Sequence, residues 1–270
     1  MNGSVFINTE YLEQAYLPRM LPYREEQQRY IAECIKPLFE NRNGSNLLIS
    51  GEPGIGKTAS VRFIFRKLNE EMENIMPIYV NCWKKDTTPK IVNEIANILD
   101  IKTVDKASSD ELFDKIIVKL GKYTGVVFAF DEIDKVKDTD FLYRFLEDVS
   151  HKTVLLITNI NDWVTKMDKR LTSRLLLDKI EFKQYSFEET RGLLREREKY
   201  AFVPDRWEYD AFETVIKETF KARDIRTGLF LMKKSGEIAD NRGSDKIESR
   251  DVENSLRKIS DSNKEIGSFL

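Results

Sequence analysis

Gly51-Glu52-Pro53-Gly54-Ile55-Gly56-Lys57-Thr58 is the stretch that decides the fold. Glycine, four residues, glycine, lysine, threonine is the spacing of a phosphate-binding loop. Asn46-Leu47-Leu48-Ile49-Ser50 before it reads as a short buried strand. After it, Val61, Ile64, Phe65 and Leu68 recur at helical spacing. In that strand–loop–helix setting, the glycines let backbone N–H groups turn inward around phosphate oxygens, and the helix N-terminus adds positive potential. Gly51, Glu52, Pro53, Gly54, Ile55, Gly56, Lys57, Thr58 and the adjoining Ala59 are therefore the expected nucleotide-binding residues. Lys57 would reach the β- and γ-phosphates, and Thr58 would place its hydroxyl on magnesium.

The strands and helices that follow alternate. Ile78 to Asn81 reads as a strand, followed by a loop through Pro89 and a helix marked by Ile91, Ile95, Ile98 and Leu99. Residues 100–107 form a polar connection, and Ser108 with Glu111 makes a capping box that opens the next helix. Val126-Val127-Phe128-Ala129-Phe130 is an unbroken apolar run, as expected of a strand buried on both faces. It runs into Asp131-Glu132, at the carboxyl end where open α/β sheets bind ligands. Asp131 is expected to hold the magnesium and Glu132 to act on the attacking water. Val154 to Asn159 repeats the strand-then-polar pattern, which makes Asn159 a candidate to orient that water. Arg170 and Arg174, four apart on a short helix, are either a solvated basic face or arginines given in trans to a neighbouring subunit's ATP. Lys179 to Phe182 should close the sheet.

Upstream, the prolines of Leu17-Pro18-Arg19-Met20-Leu21-Pro22 exclude a regular helix and predict an extended strap. A helix with Ile31, Cys34, Ile35 and Leu38 on one face follows. Downstream of a second capping box, Ser186 with Glu189, the composition turns wholly helical. The expected division is an α/β domain over 1–185, strap included, and an all-helical domain over 186–270. Arg226, near the start of a helix in that second domain, could lean over the nucleotide or pair with Asp224.

Bulk composition narrows the function classes. The 270 residues are 41% hydrophobic and 33% charged, enough apolar material for a core. No apolar run of about 18 residues could span a bilayer, so no membrane partner is expected. The first ten residues lack a secretory pattern, and Cys34 and Cys82 lack metal-ligand spacing. A reducing cytoplasm is the expected location. The single histidine, His151, excludes a histidine metal cage or catalytic triad within the chain. A formal net charge of −2 gives no overall attraction to nucleic acid, so any DNA contact needs a local basic surface.

Taken in order, these motifs resemble the AAA+ ATPases, and within them the archaeal origin-recognition and cell-division-cycle type replication initiators. Gly51 to Thr58 is similar to Walker A, Phe128 to Glu132 to Walker B, and Thr158-Asn159 to sensor 1. Arg170-Leu171-Thr172-Ser173-Arg174-Leu175 resembles the arginine-finger box, and Asp224-Ile225-Arg226 the sensor 2 helix. The resemblance implies an α/β P-loop fold with a five-stranded parallel sheet flanked by helices and a smaller helical lid. It implies ATP and ADP with Mg2+ as ligands, slow ATP hydrolysis, and catalytic roles for Lys57, Glu132, Asn159, Arg170, Arg174 and Arg226. The segment from Leu17 to Glu25 looks like the family strap that packs near the adenine, which adds Tyr23 and Arg24 to the nucleotide site. Implied partners are double-stranded DNA and a replicative helicase or another AAA+ subunit.

Two features depart from that family. Its members usually continue into a winged-helix domain, whereas this sequence ends at Leu270. They also insert a DNA-contacting element where residues 100–110 here are short and not notably basic. Sequence-specific origin binding is not expected of these residues alone. The alternative expectation is an ATPase that regulates a protein partner, such as a transposition helper or a signalling ATPase. A small-molecule kinase is disfavoured by the helical domain, the Asp-Glu pair and the arginine box.

Overall fold

The computed structural model of the chain describes residues 3–102 and 109–267, with side chains as far as residue 258. The expected capping residue Ser108 and most of the polar connection before it lie outside the described residues. The chain divides into two compact units, one over Arg24–Lys183 and one combining residues 1–23 with 184–270.

The first unit is a parallel α/β layer structure. In chain order it contains α1 (Glu25–Ile35), β1 (Leu47–Ser50), α2 (Lys57–Glu71), β2 (Ile75–Asn81) and α3 (Thr88–Ile98). Then come α4 (Ser109–Leu120), β3 (Gly125–Asp131), α5 (Asp140–Asp148), β4 (Lys152–Ile157), α6 (Lys169–Leu175) and β5 (Asp178–Glu181). The five strands lie side by side in the order β2-β3-β4-β1-β5, and every pairing is parallel. β3 and β4 are interior strands and almost wholly buried, which is why they read as continuous apolar runs. Alternate residues still choose opposite faces. Phe128 and Phe130 pack with α3, α4 and α5, while Val127 and Ala129 pack with α1 and α2.

Three local differences from the sequence reading have physical causes. β2 begins at Ile75 and includes Pro77, where a strand only from Ile78 was expected. β2 is an edge strand, so the N–H that proline lacks is not needed by a second neighbour. Pro89, expected in a loop, sits in the first turn of α3, where a missing N–H costs nothing. Residues 3–23 belong with the helical unit rather than with the α/β unit as expected. The reason is apolar: Val5 and Leu12 are buried in the helical unit's core beside Leu194, Phe202 and Met232. A Cβ on Gly236 would fall 2.3 Å from the Phe6 ring, so that glycine is what lets the segment lie close.

The helical unit contains α7 (Phe187–Ala201), α8 (Tyr209–Ala222), α9 (Ile225–Asn241) and α10 (Ser249–Gly267). Ser186 and Glu189 form the expected capping box at the start of α7. Arg191 of α7 grips the buried Glu213 of α8 through two hydrogen bonds of 2.5 and 3.0 Å. Arg242 at the end of α9 does the same to the buried Asp251 of α10, at 3.0 and 2.9 Å.

Candidate active site

Strand register builds the site. Asn81, Asp131, Ile157, Ile49 and Ile180 lie in one row across the sheet. The loop after Ser50, the acidic turn after β3 and the polar step after β4 therefore emerge together along the carboxyl edge.

Gly51, Gly54 and Gly56 of the loop have φ of 142°, 72° and 94°, a backbone region that side chains resist. At Gly51 space also decides, because a Cβ would lie 2.4 Å from the Phe182 carbonyl oxygen. Gly56 hands the chain directly into α2, whose first residue is Lys57. Lys57 is buried, and its ammonium donates to the carbonyls of Gly51 and Glu52, each at 2.7 Å, and to Asn159 Oδ1 at 2.8 Å. Thr58 Oγ1 donates to Asp131 Oδ2 at 2.7 Å. Arg24 is buried, donating to the Ile55 carbonyl at 3.0 Å and to the Lys183 carbonyl at 2.7 Å.

The structure thus joins Lys57, Thr58, Asp131, Asn159 and Arg24 to one loop. Glu132 follows Asp131 in the left-handed region, with φ of 55°, and its N–H donates to Asp131 Oδ1 at 3.0 Å. The Thr58 hydroxyl and Asp131 carboxylate are hard oxygen donors in mutual contact, a fit to Mg2+, which takes few protein ligands and completes its shell with phosphate and water. Among the described residues no cluster of three histidine, cysteine or acidic side chains could make an all-protein metal cage.

Two contributors were not singled out by sequence. Tyr79 of β2 donates its hydroxyl to Asp131 Oδ2 at 2.7 Å. Burial, and then the Asp131 charge, push that hydroxyl well above the ordinary phenol range, which keeps it a donor. Asp134 accepts from Thr158 Oγ1 at 2.9 Å and pairs with Lys135 at 3.0 Å, and the Asn159 N–H lies 3.5 Å away. Burial alone would raise the Asp134 carboxyl, but hydrogen bonds from Lys135 and Thr158 outweigh it and hold it below the usual range. The signal for Tyr79 was a lone hydroxyl in an apolar strand, since a buried tyrosine needs a partner for its O–H. The signal for Asp134 was a third carboxylate within four residues.

The remaining expected site residues have these surroundings. Arg170 and Arg174 are on α6, where Asp168 caps the helix by accepting from the Arg170 N–H at 2.7 Å. Arg174 is ion-paired with Glu147 and its guanidinium lies 4.4 Å from the Tyr143 ring centroid. Tyr23 and Arg226 belong to the helical unit. There a Cβ on Gly192 would fall 2.1 Å from the Tyr23 hydroxyl, and Arg226 chelates Asp224 at 2.6 to 3.0 Å, the surface pairing expected as the alternative to nucleotide contact.

A family model described as an AAA domain matches residues 41–177, and one described as a Cdc6 AAA+ ATPase-type lid domain matches residues 191–256. The ORC1-type DNA replication protein 1 of Sulfolobus acidocaldarius is 33% identical, over 93% of this chain and 66% of that protein. The ORC1-type DNA replication protein of Methanocorpusculum labreanum is 29% identical, over 95% of this chain and 66% of that protein. The Aeropyrum pernix ORC1 protein, solved in complex with DNA, superposes with a TM-score of 0.85 at 27% identity, covering 96% of this chain and 71% of that one. The chain spans about two thirds of the length of the curated relatives it matches. Loop, sheet and helical unit agree with these matches, and the chain belongs to the AAA domain family, with a lid of the Cdc6 AAA+ ATPase type.

Proposed function

We propose that this chain binds ATP with Mg2+, hydrolyses it slowly, and acts as a nucleotide-controlled DNA replication initiator. The observation that carries the reading is the chain of contacts from Thr58 to Asp131 and from Lys57 to Asn159, which draws the loop and two strand ends into one polar cluster. A triphosphate in the loop takes over the Lys57 ammonium, which now rests on two loop carbonyls. Thr58 and Asp131 would supply oxygen ligands to Mg2+, which would neutralise phosphate charge when bound. Glu132 draws a proton from water as the water oxygen bonds to the γ-phosphorus and the bond to the bridging oxygen breaks, releasing ADP and phosphate. The Asn159 side chain orients that water. Arg170 and Arg174 serve the site of a neighbouring subunit, where an arginine supplied in trans adds about 10³- to 10⁵-fold in rate. Tyr23, Arg24 and Arg226 complete the nucleotide environment.

The relatives favour an initiator over a transposition helper or signalling ATPase, because the two curated relatives above are ORC1-type replication proteins and an ORC1 protein was solved with DNA. Double-stranded DNA and a helicase or second AAA+ subunit are accordingly the proposed partners, and the cytoplasm the proposed location. Calorimetry and phosphate release test the core of this. Lys57→Ala should abolish ATP binding, and Glu132→Gln should bind ATP with no turnover. Hydrolysis by Glu132→Gln at the parent rate sinks the mechanism. Titration of duplexes with and without ATP tests the DNA partner.

A further inference from the structure

Of the three tryptophans, Trp83 is set apart by exposure: 66% of it is open to solvent, against 9% for Trp207. It sits on a fixed turn at the end of β2. The N–H groups of Lys84 and Lys85 donate to the Asn81 carbonyl at 3.2 and 3.1 Å, and the Cys82 N–H donates to the Asp131 carbonyl at 2.8 Å. The Lys137 N–H donates to the Asp86 carbonyl at 2.8 Å, and Thr88 is hydrogen-bonded to Asp138. The segments after β2 and β3 therefore form a single shelf, with the indole held at its rim.

Three ion pairs of this shelf sort charge by depth, while Lys85 and Glu94 are about equally exposed, at 36% and 34%. The ammonium groups of the three point outward: the side chains of Lys135, Lys90 and Lys137 are 39%, 55% and 69% exposed, and Lys84, next to Trp83 in sequence, is exposed. Their carboxylate partners lie beneath them, with Asp134 fully covered and Asp86 only 20% exposed. Lys135 Nζ lies 5.3 Å from the Trp83 ring centroid. At the indole a ligand meets the Lys135 ammonium and the aromatic face before it meets Asp134.

A flat π-surface beside positive charge selects a partner that carries both an exposed ring and a regular negative charge. Duplex DNA has the charge, but its bases are stacked on one another. An unpaired strand offers both. We propose that Trp83, with Lys84, Lys135 and Lys137, is a stacking site for one base of single-stranded DNA. The inference rests on the initiator reading in taking DNA as the nucleic acid.

The test is titration of a short fluorescein-labelled oligothymidylate into the full chain at low salt, reading label anisotropy and tryptophan emission together. Binding should quench tryptophan emission. Trp83→Ala should remove the quench and weaken binding by about 5- to 150-fold, the usual cost of losing one stacked base. Trp83→Phe keeps a ring and should retain most of the affinity. Lys84→Gln and Lys137→Gln should each lower the slope of log affinity against log salt by about 0.7. The side chains changed are exposed, so unchanged thermal midpoints are expected and serve as the fold control. Trp83→Ala binding as tightly as the parent, or no binding by the parent at low salt, overturns the proposal. Self-association abolished by Trp83→Ala, with no oligothymidylate bound, also overturns it and assigns the face to a second copy. ATP binding by the same preparation keeps the two readings apart: a normal ATP site with no strand binding removes only this inference, whereas no ATP binding removes the proposed function.

Discussion

The Thr158 hydroxyl donates to Asp134 Oδ1 at 2.9 Å, tying the polar step after β4 to the acidic turn after β3. Asn159, the next residue, has its N–H 3.5 Å from the same oxygen, while its side-chain oxygen accepts from Lys57 at 2.8 Å. Asp134 thus stands behind Asn159 in the same way that Lys57 stands before it. If Asp134 positions that amide, Asp134→Asn should lower kcat about 10- to 100-fold, the scale of a misplaced catalytic group. KM for ATP should stay within about threefold, since the loop itself is untouched. The double variant with Asn159→Ala should be no slower than the worse single variant. Losses that multiply would falsify the positioning role.

Asp131 is held from two sides, since Thr58 Oγ1 and the Tyr79 hydroxyl both donate to its Oδ2 at 2.7 Å. Thr58 is expected to turn to Mg2+ when nucleotide binds, leaving Tyr79 to fix the carboxylate. Tyr79→Phe removes one hydrogen bond, worth about 1 kcal/mol, so half-maximal hydrolysis should need about 2- to 10-fold more Mg2+. Nucleotide binding measured in EDTA should not change. An unaltered Mg2+ requirement removes Tyr79 from the site.

The legibility of the site in the sequence follows from how local each signal is. Gly51 to Thr58 and the run from Val126 to Glu132 were readable because spacing and apolar continuity are local properties. Tyr79 was not, because its partner Asp131 is 52 residues away and only the register Asn81↔Asp131 brings the strands level. The placement of the residues upstream of the strap was not legible for a related reason. Nothing in Val5, Phe6 or Leu12 tells which of two apolar cores will accept them. Gly236, the residue that makes room for Phe6, lies more than two hundred positions downstream.

In the helical unit Arg191 and Glu213 form a pair that substitution can disrupt. Glu213 is buried, and Arg191 meets both its oxygens at 2.5 and 3.0 Å. Burial works against the Arg191 charge, but the Glu213 carboxylate more than offsets it and pushes the guanidinium further toward its charged form. Arg191→Met would strand the carboxylate and should lower the denaturant midpoint of unfolding. Replacing both residues, Arg191→Met with Glu213→Leu, should recover most of that loss, because an apolar pair needs no compensation. A double variant as unstable as Arg191→Met would mean that packing, not charge, sets the cost.

Cys34 and Cys82 are both buried, and each thiol is made harder to ionise. Burial first, then the Asp178 and Glu33 charges, push Cys34 up to about 11, and burial with the Asp131 charge pushes Cys82 higher still. At pH 8 the Cys34 thiolate is then only about one part in a thousand, and the thiolate is the reactive form. A disulfide-exchange reagent should leave both thiols untouched in the native chain and titrate both in denaturant. The pH dependence of stability has a definite sign. The folded pKa lies above the unfolded value of about 8.5, so stability is intact below that pH and declines as pH climbs through the window to about 11. The thermal midpoint should therefore fall across this range, and Cys34→Ala should fall less steeply than the parent. Equal slopes for the two proteins would show that Cys34 ionises as readily folded as unfolded.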